Sequence, residues 1–307
     1  MAPISTITIL APGLKTIHKA PYPSISPSNP PLNQSGRTVL LTGGATGIGY
    51  AIGQSFIQAH AAKLIIIGRR QNVLDEAVKT LTAHAQSLNS PTTILSRSLD
   101  ASDHEAVSTL WSSFKSEGIV IDVLVLNHAV PGPVKNFMET DLFEIWKIFE
   151  INSRSILDFT QQFYNQGADK KKYLVNVSTS ALHNLRTEAT QIPTYGLTKG
   201  AALLITQQIA NHVSSDKLQV VSFHPGGVLT ESARKAGVDE GMYDWDDVKL
   251  PGNFAVWAAT DEAEFLHGRW VAAHWDVDEL RGRELRERLA GDQNFLRMGV
   301  YGVESIA

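Results

Sequence analysis

The chain contains no cysteine, which removes disulfide staples, thiolate nucleophiles and cysteine-rich zinc sites together and fits a reducing compartment. No metal centre is expected. A basic region is missing too. Twenty-seven Lys and Arg stand against 31 Asp and Glu, for a formal charge of -4. The only short basic clusters are Arg69-Arg70 and Lys170-Lys171-Lys172, too little to hold a nucleic-acid backbone. No apolar stretch approaches the ~20 residues of a membrane span. The start of the chain has neither the charged opening and apolar run of a secretory signal nor the arginine content of a mitochondrial address. These absences predict a cytosolic protein that binds neither nucleic acid nor membrane.

What is present is enough apolar material, 43% of 307 residues against 19% charged, to bury one sizeable core. Residues 1–36 hold Pro3, Pro12, Pro21, Pro23, Pro27, Pro30 and Pro31, which remove backbone donors and favour extended or irregular chain. They are expected to form an arm on the surface. Within it Ile4 to Leu10 alternates apolar and hydroxyl residues, the pattern of a short added strand, and a disordered tail is the alternative. From Thr38 onward short β-branched runs alternate with amphipathic stretches of helical length, the form of a parallel sheet covered on both faces. Strands are expected at 38–42, 63–67, 92–97, 121–127, 173–178 and 219–223, with a weaker one at 269–273. Helices are expected near 47–60, 71–87, 103–117, 140–165 and 194–213. Residues 37–307 read as one domain, with a lid near 226–250 and a tail near 276–307.

Thr42-Gly43-Gly44-Ala45-Thr46-Gly47-Ile48-Gly49 follows the first strand and opens a helix. In that context glycines let backbone approach a pyrophosphate at a helix N-terminus. About 20 residues further on, where an acid would accept from the ribose of NAD, the second strand ends instead in Arg69-Arg70. A guanidinium grips a 2′-phosphate with two prongs, so this pair argues for NADP(H). Two arginines opening a surface helix also serve simply as solvated charge.

With these motifs the chain resembles the short-chain dehydrogenase/reductase family over roughly residues 37–275. Further matches, in order, are Asp100-Ala101, Asn127-His128-Ala129-Val130, Asn152, Tyr195-x-x-x-Lys199 and Pro225-Gly226-x-x-x-Thr230. The resemblance implies an α/β fold, a Rossmann-like doubly wound parallel sheet of about seven strands with helices on both faces. It implies that Gly43, Ala45, Thr46, Gly47, Ile48 and Gly49 meet the cofactor phosphates, and that Asp100 and Ala101 lie against the adenine. Asn127, His128 and Ala129 would support the cofactor side of the sheet, and Pro225, Gly226, Val228 and Thr230 the nicotinamide carboxamide. The family usually reads N-N-A-G where this chain has His128 and Val130. Val130 adds bulk near the nicotinamide ribose. His128 reads as a packed or solvated loop residue, with a substrate-side acid or base as the other reading.

Tyr195 and Lys199 lie four apart and so share one helix face. A phenol near its ordinary value of about 10 is a weak base at neutral pH; lowering it to about 7 takes roughly 4 kcal/mol of phenolate stabilisation. The Lys199 ammonium is expected to supply much of that, and by resemblance to hold the nicotinamide ribose. A hydroxyl at the end of the fifth strand should hold the substrate oxygen. Ser178-Thr179-Ser180 offers Thr179 in the family's usual serine position and Ser180 one residue later. By resemblance Asn152 bends its helix and holds a water leading to the lysine. The implied reaction interconverts a ketone and a secondary alcohol, with Tyr195 as acid or base. A redox-neutral lyase, isomerase or cyclase on the same fold is the alternative, as is a cofactor sensor without catalysis. His183, Leu185, Ile192, Met242, Tyr243 and Trp245, in the loops beyond the strands, suggest a fairly hydrophobic carbonyl or alcohol substrate. By resemblance the helices at 140–165 and 194–213 pair subunits into a homodimer or homotetramer.

Overall fold

In a computed structural model of the chain, residues 9–167, 169–182, 192–235 and 238–300 are described. Most of the Ile4 to Leu10 segment, together with His183 and Leu185, lies outside the described residues.

The β-branched runs become seven strands: β1 Thr38–Thr42, β2 Lys63–Gly68, β3 Thr93–Ser98, β4 Val123–Leu126, β5 Lys172–Val177, β6 Leu218–His224 and β7 Arg269–Ala272. They form one sheet in the order β3-β2-β1-β4-β5-β6-β7, and every neighbouring pair is parallel. Successive side chains point to opposite faces, so Val39 and Leu41 enter one apolar cluster while Leu40 enters the other. Helices α1 Gly47–Gln58, α2 Gln71–Ser87 and α8 Lys249–Ala258 cover the first face. On the second lie α3 His104–Ser116 and α5 Ser155–Asn165, packed through Trp111, Phe114, Phe159 and Phe163. This is the Rossmann-like doubly wound sheet. From β1 the chain runs outward through β2 to β3, then returns to place β4 on the other side of β1. The strand order therefore reverses between β1 and β4, and the crevice at their carboxyl ends is where such sheets bind ligands.

The expected helix at 140–165 is interrupted. Asp141 caps α4 Leu142–Phe149 by accepting from the Phe143 and Glu144 amides, a π turn covers Glu150–Arg154, and α5 resumes. The long α6 Pro193–His212 opens with a proline in its first turn, where the missing N–H costs no hydrogen bond. Helix α8 is not among the expected helices, and it carries a proline and a glycine at Pro251-Gly252. Pro251 falls in its first turn, and Gly252 allows close contact with α1, since a Cβ there would lie 2.7 Å from Ser55 Oγ.

The proline-rich segment is more than a surface arm. Ala11, Leu14, Tyr22, Ile25 and Leu32 are buried in the core. Tyr22 Oη donates to the Trp275 carbonyl at 2.8 Å and accepts from the Val277 amide at 3.0 Å. The arm's backbone meets the chain after β7 through an Ile17–Trp275 antiparallel bridge and a 2.8 Å bond from the His18 amide to the His274 carbonyl. Helices α9 Val277–Arg281 and α10 Arg283–Gly291 close the fold. No described helix is long and apolar enough to cross a membrane.

Candidate active site

The glycine loop is shaped by backbone that side chains would obstruct. Gly43 and Gly47 have φ of 64° and 55°, a region that favours glycine. A Cβ on Gly49 would lie 2.1 Å from the Gly43 carbonyl oxygen, so only glycine lets the helix start so close to the loop. Thr46 is the N-cap residue of α1, and its side chain makes no capping bond. The loop therefore offers uncapped helix amides to an anion. It forms one end of a cleft of about 510 Å³ that continues past Arg69, Asp100, Asn127 and Ala129 to Tyr195 and Thr230. A helix N-terminus with no room for side chains and an elongated cleft fit a dinucleotide.

At the far end of the cleft the Arg69 side chain is 61% exposed, with Nη1 3.9 Å from Asp100 Oδ2. Arg70 is the N-cap residue of α2 and makes no side-chain capping bond. Asp100 Oδ1 accepts from the Ser102 amide at 2.9 Å and from its hydroxyl at 2.7 Å. Burial raises the Asp100 carboxyl, but the Ser102 bonds and the nearby Arg69 charge outweigh it and hold the group below its usual range.

Where β4 ends, Asn127 ties the strand to the glycine loop, its Nδ2 donating to the Thr42 and Gly43 carbonyls at 3.2 and 3.1 Å. His128 packs beside it, half-buried against Phe159. Its Nδ1 lies 2.8 Å from Thr42 Oγ1, and its Nε2 lies 2.8 Å from Ser155 Oγ and 3.1 Å from the Ile151 carbonyl. Burial pushes the imidazole down to about 4. Both ring nitrogens are thus engaged within the fold, and the ring is neutral at pH 7.

Asn152 sits in the π turn and is buried. Its Oδ1 accepts from the Val130 amide and its Nδ2 donates to the Val130 carbonyl, each at 2.9 Å, with a further bond from Nδ2 to Thr198 Oγ1 at 3.0 Å. The side chain therefore clamps the loop after β4 rather than reaching Lys199. The π turn, a distortion frequent at functional sites, presents it there.

Tyr195 reaches the cleft from the first turn of α6 and shares a hydrogen bond with the Thr179 hydroxyl. Thr179 Oγ1 also accepts from the Ala181 amide at 3.2 Å. Ser178 Oγ is buried and makes no hydrogen bond, and the Ser180 amide donates to His224 Nδ1 at 3.2 Å. Lys199 is buried one turn further along α6, and its Nζ donates to the Val177 carbonyl at 2.5 Å. Burial pushes the Tyr195 phenol up to about 12, opposed only by the Thr179 bond, and pulls the Lys199 ammonium down to about 8. The lowering of the phenol expected from Lys199 is absent, because the lysine is aimed at a carbonyl and both groups have left water.

A model of the short chain dehydrogenase family matches residues 37–241, spanning the glycine loop, Asp100, Asn152, Tyr195 and Lys199. The chain belongs to the short-chain dehydrogenase/reductase family. A short chain dehydrogenase/reductase of Claviceps purpurea is 33% identical, covering 98% of this chain and 99% of that protein. AacuD, a short chain dehydrogenase/reductase of Aspergillus aculeatus, is 31% identical, covering 93% of this chain and 95% of its own. Among solved structures, a Pseudomonas aeruginosa RhlG/NADP active-site complex superimposes with a TM-score of 0.69 at 19% identity, covering 80% of this chain and 97% of that one. L-Sorbose reductase from Gluconobacter frateurii, complexed with NADPH and L-sorbose, gives 0.66 at 19% identity, covering 78% and 96%. The match to the Claviceps protein leaves too few residues outside it to omit the N-terminal arm. As a short-chain dehydrogenase/reductase the chain is an oxidoreductase with a site for a nicotinamide cofactor.

Within this short-chain dehydrogenase/reductase the cleft gathers most of the expected cofactor residues: Gly43, Ala45 to Gly49, Arg69, Arg70, Asp100, Ala101, Asn127 to Ala129, Tyr195 and Thr230 all line it. Lys199 and Asn152 stand behind its wall, and Pro225, Gly226 and Val228 belong to a loop that leads to Thr230, which lines the cleft with Glu231 and Ala233 of the short helix α7 Glu231–Lys235. Met242, Tyr243 and Trp245 do not line this cleft; the Tyr243 and Trp245 rings pack edge-on at 5.0 Å. Sequence reasoning missed the apolar walls Ile67, Val73, Leu74 and Leu99. Ile67 and Leu99 precede Arg69-Arg70 and Asp100 closely enough that their positions carried a signal. It also missed Thr42, whose hydroxyl donates to Val125 at 3.2 Å and accepts from the Asn127 amide at 3.0 Å.

Proposed function

We propose that this short-chain dehydrogenase/reductase uses NADP(H) to interconvert a ketone and a secondary alcohol, with Tyr195 as the proton donor in the reducing direction. The observation that carries the reading is the hydrogen bond joining the hydroxyls of Tyr195 and Thr179 at the edge of the cleft. The glycine loop would hold the dinucleotide phosphates, and Arg69, exposed and with its guanidinium turned to the cleft rim, would take a 2′-phosphate in preference to a 2′-hydroxyl. When bound, the nicotinamide supplies or accepts the hydride.

The chain's own groups manage the oxygen. A substrate carbonyl beside Tyr195 accepts hydrogen bonds from the phenol and from Thr179, which favour negative charge growing on that oxygen. A phenol pushed up to about 12 stays protonated at neutral pH, which suits it to give its proton to a nascent alkoxide. The resulting phenolate is on the same face of α6 as the Lys199 ammonium, one helical turn further along, which remains mostly protonated at pH 7 at about 8. In the oxidising direction the same phenolate takes the alcohol proton. Asn152 serves by fixing the Val130 backbone, and with it the loop on which the cofactor rests.

The RhlG and sorbose reductase structures support this reading of cofactor and reaction, since one is an NADP complex and the other a reductase with NADPH and L-sorbose. Subunit pairing is proposed along α4 and α6, where Leu142, Phe143 and Trp146 are 69, 82 and 61% exposed and Leu197 and Leu204 are 46 and 41% exposed. The test is NADPH and NADH absorbance over a panel of ketones, with Tyr195→Phe as control. Loss of turnover with retained cofactor binding is expected; full activity of Tyr195→Phe would overturn the mechanism.

A further inference from the structure

Asp246 lies in the segment between β6 and α8 and belongs to none of the motifs above, yet it grips the loop that they assign to the cofactor. Its Oδ2 accepts from the Gly227 amide at 2.7 Å, and its own amide donates to the Gly227 carbonyl at 2.8 Å. Gly226 has φ of 93°, and a Cβ there would lie 2.4 Å from the same Oδ2, so the carboxylate is seated directly on that glycine. At the far end of the loop Thr230 Cγ2 lies 3.3 Å from the position of a Cβ on Gly47. One end of the loop is thus fixed by Asp246, and the other touches the glycine loop and lines the cleft.

The N-terminal arm closes on the same point. Lys19 Nζ lies 2.8 Å from Asp244 Oδ2 and 3.9 Å from Asp246 Oδ1, and donates to the Asp244 carbonyl at 2.6 Å. The Lys19 carbonyl accepts from the Asp247 amide at 2.7 Å. Lys19 is held in turn by the Ile17–Trp275 bridge and the bond from the His18 amide to the His274 carbonyl. The Asp246 side chain is only 9% exposed, so it depends on these partners to keep its charge.

We propose that Asp246 is a positioning residue for the Pro225–Thr230 loop, and that the N-terminal arm is the strap that keeps it in place through Lys19. The inference rests on reading that loop as part of the nicotinamide site.

The test uses the full chain and three variants, Asp246→Ala, Asp246→Asn and Lys19→Met. Amide hydrogen exchange is followed without nucleotide, and NADPH and NADH are titrated by protein fluorescence. In Asp246→Ala, exchange across residues 226–230 should speed up at least about tenfold, and nucleotide affinity should fall about tenfold, the worth of one charge-assisted bond. KM for the nucleotide should rise more than kcat falls. Asp246→Asn keeps an oxygen for the Gly227 amide and should recover most of the affinity; Lys19→Met should fall between the two. Unchanged protection at 226–230, or a loss of protection spread over the whole sheet, overturns the proposal. If exchange responds as expected while the unaltered chain binds neither nucleotide, the strap stands and the reading of the site as a nicotinamide site fails.

Discussion

Thr179, and not either of its serine neighbours, is hydrogen-bonded to the Tyr195 hydroxyl. β5 ends at Val177, so Ser178 still points into the fold, Thr179 emerges beside α6, and Ser180 begins a short 3-10 turn. Removing an oxyanion donor typically costs about 10²–10³ in kcat. Thr179→Ala should therefore lower kcat by roughly that range, and Thr179→Ser, which keeps the hydroxyl, should restore most of it. Ser180→Ala should change kcat by less than about threefold, given that its hydroxyl is not the one shared with Tyr195. Steady-state kinetics of the three variants decide the matter. A larger loss in Ser180→Ala than in Thr179→Ala would move the role to Ser180.

Arg69 is the sharpest test of the cofactor. Its guanidinium is exposed, and its nearest acid, Asp100, is 3.9 Å away and already bonded to Ser102, so it is available to a phosphate. A charged hydrogen bond contributes about 1.5–3 kcal/mol. Arg69→Ala should accordingly raise KM for NADPH about 10- to 100-fold and KM for NADH by much less. Equal effects on the two nucleotides, measured in parallel by absorbance, would remove the argument for NADP(H).

Much of this architecture was legible because the interior strands of a doubly wound sheet are runs of Val, Ile and Leu. β1, β2 and β6 fall within a residue or so of where those runs lie. β4 is shorter than its 121–127 run at both ends, where the Ile121 amide turns to Gln166 Oε1 and the Asn127 amide to the Thr42 hydroxyl. Helix α8 was hidden by Leu250-Pro251-Gly252, whose proline and glycine signal a turn unless their partner α1 is known. The burial of Tyr22 and Leu32 was equally illegible. It depends on Trp275, Val277 and the α8 side of the core, far away in the chain. The motif residues of the site were readable one by one, but the choice of Thr179 depended on a single-residue register, and the Asp246 latch on a contact that no motif encodes.

Two glycines on one helix should respond in opposite ways. A Cβ on Gly49 meets the Gly43 carbonyl oxygen at 2.1 Å and Asn127 Nδ2 at 2.6 Å, neither of which can yield without moving the glycine loop. One on Gly53 meets Leu64 Cδ2 at 3.3 Å and the two Leu81 methyls at 3.7 Å, all of them ends of side chains and none of them backbone. Gly49→Ala should destabilise the fold by about 1–3 kcal/mol through overpacking and weaken nucleotide binding with it. Gly53→Ala should be neutral or gain up to about 1 kcal/mol from helix propensity. Denaturant unfolding of both variants checks the contrast, and similar losses in the two would mean that the glycine loop yields more readily than its contacts imply.

His128 sets an acid limit to stability. In the folded chain burial pushes its imidazole down to about 4, whereas an unfolded histidine takes its proton near 6.5. A base with a depressed folded value binds its proton first in the unfolded state. Its contribution is therefore intact above about pH 6.5 and is lost progressively as pH falls from there towards 4, reaching about 3 kcal/mol. Protonation also forces both ring nitrogens to donate, so the ring can no longer accept from the Ser155 hydroxyl. His128→Asn, the residue common at this place in the family, should flatten that limb while leaving stability at pH 8 within about 1–2 kcal/mol, the worth of a neutral hydrogen bond or two. Some acid sensitivity should persist, because burial also lowers His267 and His274. Urea unfolding at pH 8, 6 and 5 measures the difference. If His128→Asn loses as much stability between pH 8 and 5 as the unaltered chain does, the acid limit belongs to other groups, and His128 is already charged or freely solvated in the folded protein.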